Sequence, residues 1–118
     1  MNLVIIIDPN VLHQRQIINL PFQKKSRRVV FEAEYLEEPD LWFISFYNAQ
    51  DNSPICTKIP LIASHKYPFN ILEPFQHKNV GWMLCVPLVD EPSSDNPSRD
   101  NMGEFGILWG DSYDRESS

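Results

Sequence analysis

Two apolar runs limit what this chain can become: residues 41–47 (LWFISFY) and residues 80–89 (VGWMLCVPLV). Each is dense in aromatic and β-branched residues and is bounded by Asp, Asn, Pro or Gly, the sequence form of a strand. In the first run Trp42, Ile44 and Phe46 share one face, while Leu41, Phe43, Ser45 and Tyr47 share the other. A strand that is largely apolar on both faces is expected either at the centre of a two-sided core or with its outer face against a partner. In the second run Val80, Trp82, Leu84, Val86 and Leu88 alternate with Gly81, Met83, Cys85, Pro87 and Val89, and Trp82 and Leu84 are the expected core side chains.

The flanking segments add shorter strands. Residues 3–7 (LVIII) end at the turn signal Asp8-Pro9-Asn10 and are too short and too β-branched for a helix. They predict a strand buried on both sides or pairing at a subunit boundary. Residues 11–20 show weak periodicity of either kind, ended by Pro21. Residues 29–36 (VVFEAEYL) alternate, with Val29, Phe31, Ala33 and Tyr35 on one face, and an acidic turn joins them to residues 41–47 as a hairpin. Residues 55–62 return as a strand in which Pro60 favours an edge or a bulge. A short helical turn is expected at residues 69–72 and a loop at 75–79. Residues 91–102 (EPSSDNPSRDNM) predict a long exposed loop, and residues 103–110 a last strand with Phe105, Ile107 and Trp109 on one face. The expected fold is all-β: a single-domain antiparallel barrel or sandwich over residues 1–110, of about five to seven strands with little helix, followed by a polar, disordered tail at 111–118. The expected core is Phe31, Trp42, Ile44, Phe46, Trp82, Leu84, Ile107 and Trp109.

Charge and chemistry narrow the function. The formal charge of −6 argues against a general nucleic-acid binder. No apolar run approaches the roughly 20 residues that span a bilayer, and the N-terminal run lacks a basic leader, so a cytoplasmic product, or a part that reaches its place by assembly, is expected. Cys56 and Cys85 read as two buried thiols, with a disulfide the other reading. His13, His65 and His77 are unevenly spaced and make no metal-ligand pair, so no metal or cofactor is expected. Glu32 and Glu34 share the more polar face of their strand, which reads as a solvated outer face, with charge pairing to the basic cluster, rather than a catalytic dyad. No serine sits in a nucleophile elbow.

What remains points to contacts with other proteins. The basic cluster Lys24, Lys25, Arg27 and Arg28 is either a solvated turn or a contact with an acidic partner. The aromatics build the core or anchor an interface, the second reading applying to Phe43 and Tyr47. Leu3, Val4, Ile5, Ile6 and Ile7 complete the candidate interface. A small cytoplasmic β-barrel that binds a ligand or peptide is the alternative class.

The middle of the chain resembles the small baseplate plug proteins of contractile-tailed bacteriophages. The likeness rests on Trp42, Ile44 and Phe46; Asp51, Pro54 and Ile55; Pro60 and Leu61; Ile71 and Leu72; and Gly81, Met83 and Cys85, or Leu84 and Val86 with a shift of one. It closes on Met102, Gly103, Leu108 and Trp109, and it spans about residues 29–110. Ser53 stands where glycine is common, and Trp109 where tyrosine is more usual. The resemblance implies a structural, non-enzymatic role in the virion after assembly in the host cytoplasm. It implies a homo-oligomer, with a trimer suspected, at the baseplate hub, between hub or spike proteins and the end of the tape measure. Residues 3–7 are then candidates for edge pairing with a neighbour.

Overall fold

The computed structural model describes residues 2–21, 25–65, 68–78 and 80–111. The fold is mostly β, with seven strands in two antiparallel sheets and little helix. The strands are β1 (Asn2–Ile5), β2 (His13–Pro21), β3 (Ser26–Leu36), β4 (Leu41–Asn48), β5 (Pro54–Pro60), β6 (Trp82–Pro87) and β7 (Phe105–Gly110). The first sheet has the order β1-β7-β6 and the second is the meander β2-β3-β4-β5. The arrangement is sandwich-like, and the described strands do not close into a barrel.

The meander follows local pattern. Alternation in β3 buries Val29, Phe31 and Ala33, and alternation in β4 buries Trp42, Ile44 and Phe46 beside them. Phe31 and Phe46 are register partners whose tilted rings lie 5.4 Å apart, a favourable aromatic geometry. The β3–β4 turn contains a cis Glu38–Pro39 bond. The segment ambiguous in sequence becomes β2, with Pro21 its last residue. Pro60 ends β5, an edge strand, which meets the first expectation for that proline; the register irregularities against β4 fall between Ile44 and Tyr47, away from Pro60.

The smaller sheet joins the two ends of the described chain, and local pattern does not announce that pairing. Leu3 pairs with Trp109, and Ile5 with Ile107. Residues 3–7 are not buried on both sides: Ile5 and Ile7 lie in the core, while Val4 and Ile6 stand in the open. Ile5 and Ile7 are therefore core residues, a correction to their assignment as interface.

A second correction concerns β6. Met83 and Cys85 are buried, whereas Trp82 and Leu84 are half-buried on the opposite face, not in the core. The reason is a change of phase at Gly81, whose φ of +79° belongs to the left-handed region. Val80 points inward before this residue, and Met83 points inward after it. The core position at this level belongs to Trp109, the register partner of Met83. Trp109 donates its indole N–H to the Val80 carbonyl at 2.6 Å.

Two connections also differ from expectation. The helical turn falls at Glu73–Lys78, a 3-10 segment kinked at Phe75, rather than at residues 69–72. The loop of residues 91–102 is not uniformly exposed: Pro97, Asn101 and Met102 are buried. Its polar side chains replace a strand's ladder. Asn101 Oδ1 accepts from Ser98 N (2.7 Å) and Ser98 Oγ (2.9 Å), Ala63 N donates to Asn96 Oδ1 (2.9 Å), and Trp42 Nε1 donates to the Ser98 carbonyl (3.2 Å). Asp111, expected in a frayed tail, is also buried. The rest of that tail, 112–118, lies outside the described residues.

Candidate docking surfaces

The two sheets bury one face each and turn the other outward, and those outer faces have opposite character. On β1-β7-β6 the outward row through the middle is Val4–Leu108–Leu84. The rows on either side contain Gly110 with Trp82 and Gly106 with Val86. Both glycines are covered by a neighbour. The Trp82 ring lies where a Gly110 Cβ would stand, 2.3 Å from that position, and Leu88 folds over Gly106 at 3.1 Å. Trp82 Nε1 has no hydrogen-bond partner among the described residues. No charged side chain occurs in any of these three strands.

The outer face of β2-β3-β4 is built around a carboxylate. Register sets Arg15 opposite Glu32, with Tyr47 two residues beyond Glu32's own partner on β4. Glu32 takes a hydrogen bond from Tyr47 Oη (3.2 Å), lies 2.9 Å from His13 Nε2 and pairs with Arg15 Nε at 3.3 Å. The Arg15 guanidinium also stacks 4.9 Å from the Tyr47 ring centre and donates to Asn52 Oδ1 at 3.1 Å. Glu32 thus pairs with β2 rather than with the basic cluster, because the cluster sits at the far end of the strand.

Glu32 carries an acid-sensitive contribution to stability. Partial burial, the largest single influence, pushes its pKa up. The hydrogen bonds from His13 and Tyr47 and the charges of His13 and Arg15 together outweigh it, so the carboxyl titrates below its ordinary value of 4.5. A group whose folded-state value is depressed contributes above its unfolded value and loses that contribution as pH falls through the folded one. Thermal unfolding followed downward from about pH 7 is expected to show a fall in wild-type stability below about pH 4.5. Glu32→Gln is expected to flatten that fall and to lower the neutral plateau. An unchanged acid limb would remove Glu32 from the account.

The remaining sequence candidates do not converge. Among the described residues no group of His, Cys, Asp and Glu is placed to hold a metal ion. His65 bonds the Asp95 carbonyl, and the side chain of His77 lies outside the described ones. Both cysteines are buried and no disulfide joins them; burial pushes the Cys85 thiol up to about 12, which keeps it protonated and unreactive at neutral pH. Lys24 lies outside the described residues. Lys25 and Arg28 are exposed at the β2–β3 hairpin, and Arg27 reaches Asn48 Oδ1 at 3.5 Å. Phe43 and Tyr47 are half-buried on the outer face of β4, at opposite ends of it. The exposed Ile17, which pattern alone did not single out, joins Val30 and Tyr47 in one cross-strand row. Its exposure follows from an edge position that only the pairing shows.

Apolar and aromatic side chains on the outer faces of both sheets suit a protein that works through contacts with other proteins. The family described as cyanophage baseplate Pam3 plug gp18 matches residues 3–112, and the chain belongs to that family. It is a non-enzymatic structural protein of the phage tail baseplate. No curated protein matches the chain.

Proposed function

We propose that the protein closes the central channel of the baseplate hub as a homo-oligomer, with three copies matching a threefold hub. In this reading hub, spike or tape-measure proteins are its neighbours, and β-strand pairing supplies part of the contact. The observation that carries the reading is the contrast between the two edges of the smaller sheet. The far edge of β6 is occupied: Ser64 N donates to the Cys85 carbonyl (2.7 Å), Ile71 N to the Met83 carbonyl (3.0 Å), and Met83 N to Asn70 Oδ1 (2.8 Å). Among the described residues no strand pairs with the far edge of β1, and the chain beyond it is held by side chains of β2, with Gln16 Nε2 donating to the Ile6 carbonyl at 3.0 Å and Gln14 bonding the Asp8 N–H and carbonyl. Sheet edges that are not meant to pair are ordinarily blunted by proline, bulges or charge. β5 follows that rule, with Pro54 and Pro60 at its ends and Lys58 at φ +54°. β1, with the sequence NLVI, does not.

The test is assembly. Particles made without the gene are expected to lack density on the tail axis at the hub and to lose infectivity, with a plasmid copy restoring both. Fully infectious particles, or the protein found away from the axis, would overturn the channel-closing role.

A further inference from the structure

We infer that the outward face of β1-β7-β6 is an interface between copies of this chain, and that it receives the β2–β3 hairpin end of a second copy in a head-to-tail contact. The inference rests on the oligomeric plug reading and names the surfaces that would make the oligomer.

The first observation is the face itself. Val4 is 62% exposed, Ile6 76% and Leu88 64%, and they flank the half-buried Leu108 and Leu84. The meander's outer face carries His13, Arg15, Glu32 and Glu34, whereas this one carries no charge. A contiguous apolar face of this kind marks a contact surface.

The second observation selects the occupant. β1 and β6 both run antiparallel to β7, so both finish at the end of the sheet where β7 begins. Beyond that end the chain carries exposed Asp8, Asp90 and Glu91, with Glu104 just before β7. Residues 1–12 and 80–104 together hold six acidic residues against the single Arg99. The positive charge lies elsewhere: Lys25 and Arg28 stand exposed at the β2–β3 hairpin and make no ion pair among the described residues. Pairing two copies face to face with their strands running the same way would bring like-charged acidic rims together, and running opposite ways would leave the basic hairpins unmatched. A head-to-tail contact sets the basic hairpin of one copy against the acidic rim of the next. The same hairpin end offers apolar surface to bury, because Ile17, 57% exposed, forms a row with Val30 and Tyr47. A contact between two different patches repeats from copy to copy and closes into a ring when the rotation allows, as a small cyclic oligomer requires.

The experiment is sedimentation velocity on the full chain, with hub binding measured on the same samples. The wild type is expected to sediment as a multiple of 13.8 kDa. Lys25→Glu with Arg28→Glu, both exposed and away from the core, is expected to weaken self-association about tenfold without changing the circular dichroism. Adding Asp90→Lys and Glu91→Lys is expected to restore it. Leu88→Asp is expected to abolish it. An oligomer indifferent to Leu88→Asp and to the hairpin reversal overturns the inference and leaves the oligomeric plug standing. A monomeric wild type whose Leu88→Asp variant loses hub binding assigns the face to a different protein and also overturns it. A monomeric wild type with no hub affinity counts against both readings.

Discussion

Trp109→Ala is expected to destabilise the protein by about 3–5 kcal/mol, and by more once the hydrogen bond is counted. Trp109 is fully buried and occupies the point where the smaller sheet meets the core. Its ring lies against Gly81, 2.7 Å from where a Cβ would stand, and its N–H satisfies the Val80 carbonyl. Alanine removes the ring, leaves a cavity and strips that carbonyl of its donor at once. For a domain of 118 residues a loss of this size lowers the melting temperature by roughly 15 °C. Trp109→Phe separates the two contributions, since it keeps most of the volume and loses the donor. Its expected cost is smaller, roughly 1–3 kcal/mol. Denaturant unfolding of the three proteins checks both values. A Trp109→Ala variant within 1 kcal/mol of wild type would show that the two sheets are not joined through this side chain.

How far the sequence reached depended on whether a residue's neighbours in the chain were also its neighbours in space. In β3 and β4 they are. Val29, Phe31 and Ala33 alternate with Val30, Glu32 and Glu34, a short acidic turn returns the chain, and Trp42, Ile44 and Phe46 meet the first set across the hairpin. The core there was legible because period-two alternation and turn chemistry agree. In β6 they do not. Alternation counted from Val80 assigns Trp82 and Leu84 to the core, but one left-handed residue at Gly81 inverts the phase. Nothing in the local pattern reveals that inversion, since the groups that crowd Gly81, the Gly110 carbonyl and the Trp109 ring, lie nearly thirty residues away. The pairing of β1 with β7 is similarly invisible: residues 3–7 are uniformly apolar, and only the presence of β7 divides Ile5 and Ile7 from Val4 and Ile6. The partial burial of residues 91–102 is hidden in the sequence for another reason. Asn96 and Asn101 look like turn residues, yet their side-chain amides bond buried or partly buried backbone and serine groups. The docking surfaces were legible as residue types but not as surfaces. The basic hairpin and the apolar N-terminal run are both evident in sequence, whereas their placement on different sheets, with charge segregated between them, requires the topology.

The position that inverts β6 also gives the sharpest remaining test. Gly81→Ala is expected to cost roughly 3 kcal/mol or more, which is large for the addition of one methyl group. Two effects add. A side chain at φ +79° occupies the left-handed region, at a cost of about 1–2 kcal/mol for an L-residue. The new Cβ would stand 2.3 Å from the Gly110 carbonyl oxygen, and neither atom sits on a flexible side chain that can swing aside. Relief requires the β6–β7 pair to separate, and that movement drags the Trp109 ring out of its slot. The effect should therefore spread beyond the site. The buried Cys85, two residues past the register partner of Trp109, should become reactive toward a thiol reagent in the variant while remaining protected in wild type. Gly103→Ala is the matched control, since nothing lies within 4 Å of its added Cβ, and it is expected to stay within about 0.5 kcal/mol of wild type. Equal stability of the two alanine variants would mean that β6 does not depend on a left-handed residue, and the inward placement of Met83 and Cys85 would then need another cause.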